Sequence, residues 1–156
     1  LHEGIDSTLL ILYHRLKAKA HQPEIEVIKS YGELPEIEGY AGQLNQVFMN
    51  IFSNSIDAIE EKLITEPDFL PQITVSTKAI SESKEILIEL GDNGKGMPKN
   101  VCKSIFEPFF TTKPVGKGTG LGLAITHQII VEKHGGKIEC KSEESKGTMF
   151  KIKLPY

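Results

Sequence analysis

A stripe of polar side chains runs along the helix that the sequence predicts from about Ala41 to Lys62. At about 100° per residue its members fall within about 80° of arc, opposite a wide apolar face: Gln43, Gln46, Asn50, Asn54, Asp57 and Glu61. Asparagine is a poor residue for the middle of a helix, because its side chain competes for backbone hydrogen bonds. Amide oxygens one turn apart, as on Asn50 and Asn54, suit a hard cation such as Mg²⁺ or the hydration shell of a polyphosphate. A solvated helix face explains the stripe equally well.

A second candidate is Asp92, which follows a predicted strand in the stretch ELGDNGKGMP, residues 89–98. Gly94 and Gly96 allow a sharp turn there and leave room beside the carboxylate. A carboxylate in this place can accept hydrogen bonds from an amino group on a flat ligand. A plain Asp-Asn-Gly turn is the alternative. A calcium loop is excluded because the further acidic ligands are missing at the required spacing.

The third candidate is the stretch GKGTGLGL, residues 116–123, in which every second residue is glycine. A Walker A loop is excluded because Gly116-Lys117 is followed by glycine instead of Ser or Thr, and a dinucleotide loop is excluded because Leu123 stands where its third glycine would be. What remains is a flexible loop that opens a helix, whose free backbone amides can bind an anion. Lys113 and Lys117 add positive charge. A mobile surface loop is the alternative.

The hydrophobic pattern predicts the elements that must position these residues. Besides the helix from Ala41, it predicts an amphipathic helix from about Glu3 to Lys19, a short helix from Asn100 to Ile105, and a helix from Leu121 to Lys133 whose last turn carries His134 as a cation facing the helix dipole. Strands are predicted at residues 24–31, 72–80, 85–93, 137–144 and 149–155. Because helices and hairpins are grouped, we expect an α+β two-layer sandwich: a mixed, mostly antiparallel sheet of about five strands covered on one face by three helices.

Composition narrows the classes of partner. The 156 residues fit one domain, and a net charge of −3 with a pI near 6.0 offers no basic face for nucleic acid. Cys102 and Cys140 lack the spacing of metal ligands or of a disulfide framework, so two idle thiols in a reducing compartment are predicted. No apolar run approaches the roughly 18 residues of a membrane span, so we expect no membrane contact by this segment, although a longer parent could carry spans elsewhere.

Together, in order and spacing, these motifs resemble the catalytic, ATP-binding domain of two-component sensor histidine kinases, which has the Bergerat (GHKL) fold. The similar stretches are 50–58 for the N box, 92–96 for the G1 box, FEPFFTTK at 106–113 for the F box, 118–123 for the G2 box and Gly147-Thr148 for the late GT element. The resemblance covers nearly the whole chain. FEPFFTTK discriminates best, because the gyrase-, MutL- and Hsp90-like relatives of this fold lack it.

The resemblance implies roles for individual residues. ATP would lie between the N-box helix and a lid that runs from the F box to the G2 box. Asn54 would coordinate Mg²⁺ with support from Asn50, and Asp92 would accept a hydrogen bond from the adenine amino group. Around Asp92 the resemblance places Gly94, Gly96 and Thr148, with Met97 and Ile105 either lining the adenine slot or serving as core. Along the lid and phosphates it places Lys113, Lys117, Gly118, Thr119, Gly120, Leu121 and Gly122.

The sequence departs from its relatives at two positions. ATP-hydrolysing relatives carry a Glu general base four residues before the metal-binding Asn; here that residue is Asn50, which has no useful pKa. This favours phosphoryl transfer to a protein nucleophile over hydrolysis. Many histidine kinases carry Lys or Arg three residues after the metal-binding Asn, where this chain has Asp57. Cationic help with the phosphates would then pass to Lys113 or Lys117.

The resemblance also implies partners. Family members phosphorylate a histidine that precedes an acidic residue, with a proline typically four residues later, on a separate dimerising helical hairpin. His2-Glu3 lacks that proline and lies in the first predicted helix of the catalytic domain itself. We therefore expect residues 1–156 to form a single cytoplasmic, monomeric catalytic domain that binds ATP without phosphorylating itself, with a response regulator downstream. A gyrase-, MutL- or Hsp90-like ATPase and a non-catalytic nucleotide-sensing module are the alternatives.

Overall fold

The computed structural model describes residues 1–113, 118 and 120–156. Its helices are α1 (His2–Ile11), α2 (Tyr13–Leu16), α3 (Ala41–Thr65), α4 (Lys99–Ser104) and α5 (Gly122–Gln128), the last continued by a π-helical segment (Ile129–Lys133). Its strands are β1 (Glu26–Tyr31), β2 (Gln72–Ile80), β3 (Glu85–Asp92), β4 (Lys137–Glu143) and β5 (Gly147–Pro155). Lys117 and Thr119, both predicted to contact phosphate, lie outside the described residues.

The strands form one sheet in the order β1-β2-β3-β5-β4. β1 runs parallel to β2, and the other neighbours are antiparallel. The parallel pair follows from the connection, because α3 crosses over between β1 and β2, whereas tight turns join β2 to β3 and β4 to β5. The predicted α+β sandwich with a mixed, mostly antiparallel sheet is confirmed.

The register between β3 and β5 determines where Asp92 lies. Leu90 pairs with Phe150, and Asp92, two residues further on, pairs with Thr148. Because side chains alternate along a strand, Asp92 is on the same face of the sheet as Leu90. Leu90 and Phe150 are buried in the core. The Asp92 carboxylate therefore ends an otherwise apolar row on the helix-covered face.

Helix α3 covers that face with residues that recur at intervals of three and four, as a helix packed along one side requires. Its buried residues are Leu44, Val47, Phe48, Ile51, Phe52, Ser55, Ile56 and Ile59. Asn50, Asn54 and Asp57 lie at the edge of this face and are partly exposed. Although α3 is 25 residues long, neither it nor any other helix in the described part of the chain is long and apolar enough to cross a membrane.

The first helix differs from its prediction. The single helix expected from Glu3 to Lys19 is divided at Leu12, whose φ of −85° and ψ of 3° leave the helical region. Leu12 and Leu16 are both buried, as their helical spacing indicates. Periodicity did not predict the break at Leu12.

The last helix also differs. It changes to a π-helical segment after Gln128, and Ile129 and Ile130 are both buried there. His134 does not act as a cation facing the helix dipole. Its Nε2 accepts a hydrogen bond from the backbone N–H of Tyr40 at 3.0 Å, while Nδ1 lies 2.8 Å from the carbonyl oxygen of Ile129. Only the neutral ring protonated at Nδ1 satisfies both contacts.

The core predicts a measurable difference between two isoleucines. Ile88 is 0% exposed in the middle of the sheet, whereas Ile28 on the edge strand β1 is 42% exposed. Ile88→Ala should lower the free energy of unfolding by about 2–5 kcal/mol, because it leaves a cavity in a packed core. Ile28→Ala, the matched control, should cost less than about 1 kcal/mol. Urea denaturation of both variants tests this, and equal losses would contradict the described packing.

Candidate active site

Two adjoining cavities, of about 280 and 90 Å³, lie between α3, α4 and the start of α5. They share a wall made of Asn54, Ile105, Thr112, Lys113 and Leu123. Predicted site residues line the smaller cavity: Asp57, Asp92, Gly96, Met97 and Thr148. Others line the larger cavity: Asn50, Gly118, Gly120 and Gly122. Residues that are distant in the sequence thus meet at one place, and Leu121 lies beside it, directly before α5.

Asp92 is a largely buried carboxylate with defined hydrogen-bond donors. The backbone N–H of Gly94 donates to its Oδ1 at 2.8 Å. Burial raises the pKa of Asp92 to about 6, although hydrogen bonds from the Gly94 N–H, the Ser55 hydroxyl and the Thr148 backbone favour the charged form. An acceptor of this kind can take a hydrogen bond from an amino group that enters the cavity.

The glycines after Asp92 allow neighbouring backbone segments to pack closely against this loop. Gly96 has a φ of +67°, and a Cβ on it would lie 1.9 Å from the carbonyl oxygen of Glu143. A Cβ on Gly94 would lie 2.8 Å from the carbonyl carbon of Ala58. The sequence predicted that these glycines leave room beside the carboxylate. In the structure, a Cβ on Gly94 would also lie 2.9 Å from Oδ1 of Asp92, so Gly94 keeps space beside the carboxylate, whereas Gly96 makes room for the backbone at the end of β4.

Ser142 on β4 holds residues of the site in place, and this role was not predicted from the sequence. Its Oγ accepts a hydrogen bond from the backbone N–H of Met97 at 2.8 Å and lies 3.1 Å from the carbonyl oxygen of Gly147. It also lies 2.8 Å from Oγ1 of Thr148. Ser142 therefore connects the loop after Asp92 to β5. Ser142 is paired with Thr148 in the sheet, and this pairing cannot be read from the sequence without the strand register.

Asn50 and Asn54 have different surroundings. Nδ2 of Asn50 donates to the carbonyl oxygen of Gly122 at 2.9 Å and to Oγ1 of Thr126 at 3.2 Å, so Asn50 fastens α3 to the start of α5. Asn54, one turn later, lines both cavities, and its side chain has no hydrogen-bond partner among the described residues. Its amide is therefore available to a ligand.

Asp57 is at the centre of a charged cluster. Its Oδ1 lies 2.6 Å from Nη2 of Arg15, and its Oδ2 lies 2.5 Å from Nζ of Lys113. Arg15 also lies 3.2 Å from Oε2 of Glu60. Burial alone would raise the pKa of Asp57, but the hydrogen bonds from Lys113 and Arg15 outweigh it and hold the pKa below its ordinary value. Arg15 was not predicted, and nothing in its local sequence indicates this contact.

The side chains at the site fit a metal ion that is held jointly by the protein and a bound ligand. In the described part of the chain, no group of three or more His, Cys, Asp and Glu side chains is arranged to hold a metal. Mg²⁺ usually keeps several waters and binds one or two protein oxygens together with substrate phosphates. The unpartnered amide of Asn54 can supply such a protein oxygen.

The raised pKa of Asp92 predicts a pH dependence of stability. Between its ordinary 3.8 and about 6, the folded protein holds a proton that the unfolded chain has lost. The free energy of unfolding should thus include a contribution from Asp92 that is complete below about pH 4 and falls by on the order of 2–3 kcal/mol as the pH rises through 6. Urea denaturation across this range should show that Asp92→Asn removes the decline. Asp68→Asn, at an exposed position, is the control, and parallel curves for wild type and Asp92→Asn would refute the burial effect.

Comparisons with known proteins indicate the family of this chain. The family model for histidine kinase-, DNA gyrase B- and HSP90-like ATPases matches residues 39–156. The chain is 40% identical to the sensor kinase CckA of Brucella abortus (strain 2308), over 94% of this chain and 16% of that protein. It is 40% identical to sporulation kinase E of Bacillus subtilis (strain 168), over 90% of this chain and 18% of that protein.

Among solved structures, the nucleotide-free catalytic domain of histidine kinase ThkA has a TM-score of 0.78 with this chain at 27% identity. The match covers 99% of this chain and 91% of that one, whereas the chain spans only 16% and 18% of the two curated relatives named above. From the family match and the shared architecture, the chain belongs to the histidine kinase-, DNA gyrase B- and HSP90-like ATPases and has the fold of a sensor histidine kinase catalytic domain.

Proposed function

We propose that this chain is the catalytic domain of a sensor histidine kinase, which binds Mg-ATP and transfers the γ-phosphoryl group to a histidine on a separate dimerisation domain. The observation that carries the proposal is that Asp92 and Asn54, which come from a strand end and a helix, line the same cavity. Asp92 supplies an acceptor for the amino group of adenine, at one end of the nucleotide. Asn54 supplies an oxygen for the cation that accompanies the phosphates, at the other end.

The smaller cavity is proposed to bind adenine. Met97, Ile105 and Leu123 give it apolar walls, and Asp92 and Thr148 give it polar groups at one end. Because the register places Asp92 beside Thr148 on the helix-covered face, both can reach the edge of a planar base. A mostly apolar slot with a few fixed polar groups is typical of sites for flat ligands.

The larger cavity is proposed to bind the phosphates. Asn54 would provide a ligand to Mg²⁺, and Lys113, which lines the same cavity, would add a positive charge. The lining glycines at 118, 120 and 122 allow backbone to approach an anion closely. Gly120 has a φ of +70°, and a Cβ on it would lie 2.3 Å from the carbonyl carbon of Phe109. Roles for Lys117 and Thr119 rest on the sequence resemblance.

Lys113 and Asp57 are proposed to act together. Lys113 is already held at the cavity wall by Asp57, so its side chain is oriented before a ligand binds. Phosphate would compete with the carboxylate for the ammonium group. Because Arg15 also binds Asp57, this partly buried carboxylate would keep a counter-charge after Lys113 moves to phosphate.

The surroundings of Asn50 favour transfer over hydrolysis. An amide cannot remove a proton from water, and Nδ2 of Asn50 is engaged with Gly122 and Thr126. In the proposed reaction, a neutral imidazole nitrogen of the acceptor forms a bond to the γ-phosphorus while the bond from that phosphorus to the bridging oxygen of ADP breaks. Bound Mg²⁺ supplies neutralisation of phosphate charge. The protein supplies mainly positioning, which is what phosphoryl transfer requires.

We propose that the acceptor histidine belongs to a separate domain. His2, which is followed by Glu3 as in an acceptor motif, stacks on Tyr31 with ring centroids 4.1 Å apart, and its Nε2 lies 2.7 Å from Oγ1 of Thr77. It does not line either cavity. A cytoplasmic location for this domain and a response regulator downstream are proposed from the sequence resemblance.

Nucleotide titration tests the two ends of the proposed site. Asp92→Ala should weaken binding of a fluorescent ATP analogue by about tenfold or more, because a hydrogen bond to a charged group is lost. Asn54→Ala should lower the dependence of that affinity on Mg²⁺. Asn45→Ala, on the same helix but outside the two cavities, is the matched control and should change neither quantity. Wild-type affinity in Asp92→Ala, or unchanged Mg²⁺ dependence in Asn54→Ala, would overturn the assigned roles.

Turnover distinguishes the proposed kinase from its alternatives. With a phosphoacceptor domain from a related sensor kinase and labelled ATP, the chain should label that domain's histidine and release phosphate slowly when the domain is omitted. Steady ATP hydrolysis without the acceptor, changed little by Asn50→Glu, would indicate a gyrase-type ATPase. Binding of Mg-ATP without any transfer would indicate a nucleotide-sensing module.

A further inference from the structure

The two cysteines lie in contact. Sγ of Cys102 on α4 is 3.3 Å from Sγ of Cys140 on β4, and it is 3.4 Å from the carbonyl oxygen of Cys140. Both are free thiols of intermediate exposure. The sequence predicted two idle thiols because Cys102 and Cys140 lack the spacing of metal ligands or of a disulfide framework. A disulfide has an S–S distance of about 2.05 Å, so a small approach of α4 to β4 would bring the sulfurs within bonding distance.

The pair lies on the frame of the smaller cavity. Helix α4 is flanked by Met97 on one side and Ile105 on the other, and both line that cavity. The backbone N–H of Met97 also bonds to Ser142, two residues beyond Cys140 on β4. A covalent bond between α4 and β4 would therefore hold one wall of the cavity in place.

We propose that Cys102 and Cys140 are a redox-active thiol pair, and that their disulfide restrains α4 against β4 and weakens nucleotide binding. The second part rests on the proposed function, whereas the first depends only on the geometry of the two thiols. Neither cysteine takes part in the chemical step of the proposed phosphoryl transfer.

A hydroperoxide is the oxidant proposed, and two steps balance the reaction. The Cys102 thiolate attacks one oxygen of hydrogen peroxide, the O–O bond breaks, and with one proton the products are a sulfenic acid and water. The sulfur of Cys140 then attacks the sulfur of Cys102, the S–S bond forms, and hydroxide leaves and takes up the proton of Cys140 as water. The two thiols lose two electrons and two protons, and the peroxide is reduced to two waters.

The surroundings of Cys140 fit the second step better than the first. Burial, the hydrogen bond and charge of Cys102, and the charge of Asp92 raise the pKa of the Cys140 thiol. A thiol with a raised pKa is a poor initial nucleophile toward peroxide, since the thiolate is the reactive form. Cys102 is therefore assigned the first attack, and Cys140 resolves the sulfenic acid.

The restraint should act against the ligand because the smaller cavity, of about 90 Å³, must widen to receive a planar base. Met97 and Ile105 line that cavity and adjoin α4, so their movement is the proposed route of widening. A disulfide would draw α4 toward β4 and oppose that movement. Oxidation is thus expected to raise the dissociation constant of the nucleotide by at least about fivefold, the lower end of typical couplings between sites.

Peptide mapping tests the thiol pair itself. The purified chain is treated with one equivalent of hydrogen peroxide, alkylated with N-ethylmaleimide and digested. We expect a peptide linking Cys102 to Cys140 within one chain, absent from Cys102→Ser and Cys140→Ser and lost on treatment with dithiothreitol. Two unlinked thiols, linkage only between chains, or oxidation to sulfinic acid without linkage would overturn the proposal.

Titration with the fluorescent ATP analogue tests the restraint. The oxidised chain should bind more weakly than the reduced chain, and dithiothreitol should restore the affinity. The double variant with both Cys→Ser substitutions is the control, because peroxide can also oxidise Met97, which dithiothreitol does not reverse. A linked chain of unchanged affinity would overturn the restraint. If the reduced chain bound no nucleotide, the proposed function would fail, and the linked peptide would still decide whether the pair is redox-active.

Discussion

The close contact between α3 and the loop that follows β3 is the constraint on which the site depends. The backbone N–H of Lys95 donates to the carbonyl oxygen of Ala58 at 3.2 Å, and Nζ of Lys62 donates to the carbonyl oxygen of Asn93 at 3.0 Å. Gly94 permits this approach because a side chain there would collide with Ala58. Since the core fixes α3 against the sheet, the same contacts fix the separation between Asp92 and Asn54.

The buried carboxylate of Asp92 carries an energetic cost that the rest of the fold offsets. An apolar residue would continue the row of Leu90 and Phe150 without desolvating a charge. The chain instead surrounds Asp92 with hydrogen-bond donors, and its pKa still rises to about 6. Groups with strongly perturbed pKa values that lie in a cleft are candidates for function, since stability alone does not favour them. The energetic argument and the sequence resemblance thus indicate the same residue independently.

Local patterns in the sequence were sufficient for much of the fold. Alternation predicted β2 at residues 72–80 with the bounds observed, and periodicity predicted the buried face of α3. The contacts that were missed join residues that are distant in the chain: Arg15 with Asp57, and Cys102 with Cys140. The first contact joins α2 to α3, and the second joins α4 to β4. The hydrophobic periodicity of the sequence predicts neither contact, because tertiary packing determines both.

In the charged cluster around Asp57, the positive charge near the proposed phosphate site comes from Lys113 and not from α3. The position that is basic in many histidine kinases is Asp57 here, and its carboxylate binds the ammonium of Lys113, which lines the same cavity. The positive charge is still beside the proposed phosphate site, but it is carried by Lys113, the last residue of the FEPFFTTK stretch, instead of by α3. A charge on α3 would be held in place by the packing of that helix against the sheet. A charge on Lys113 reaches phosphate only when residues 106–113 are correctly placed, so the proposed site would couple phosphate binding to the position of that stretch.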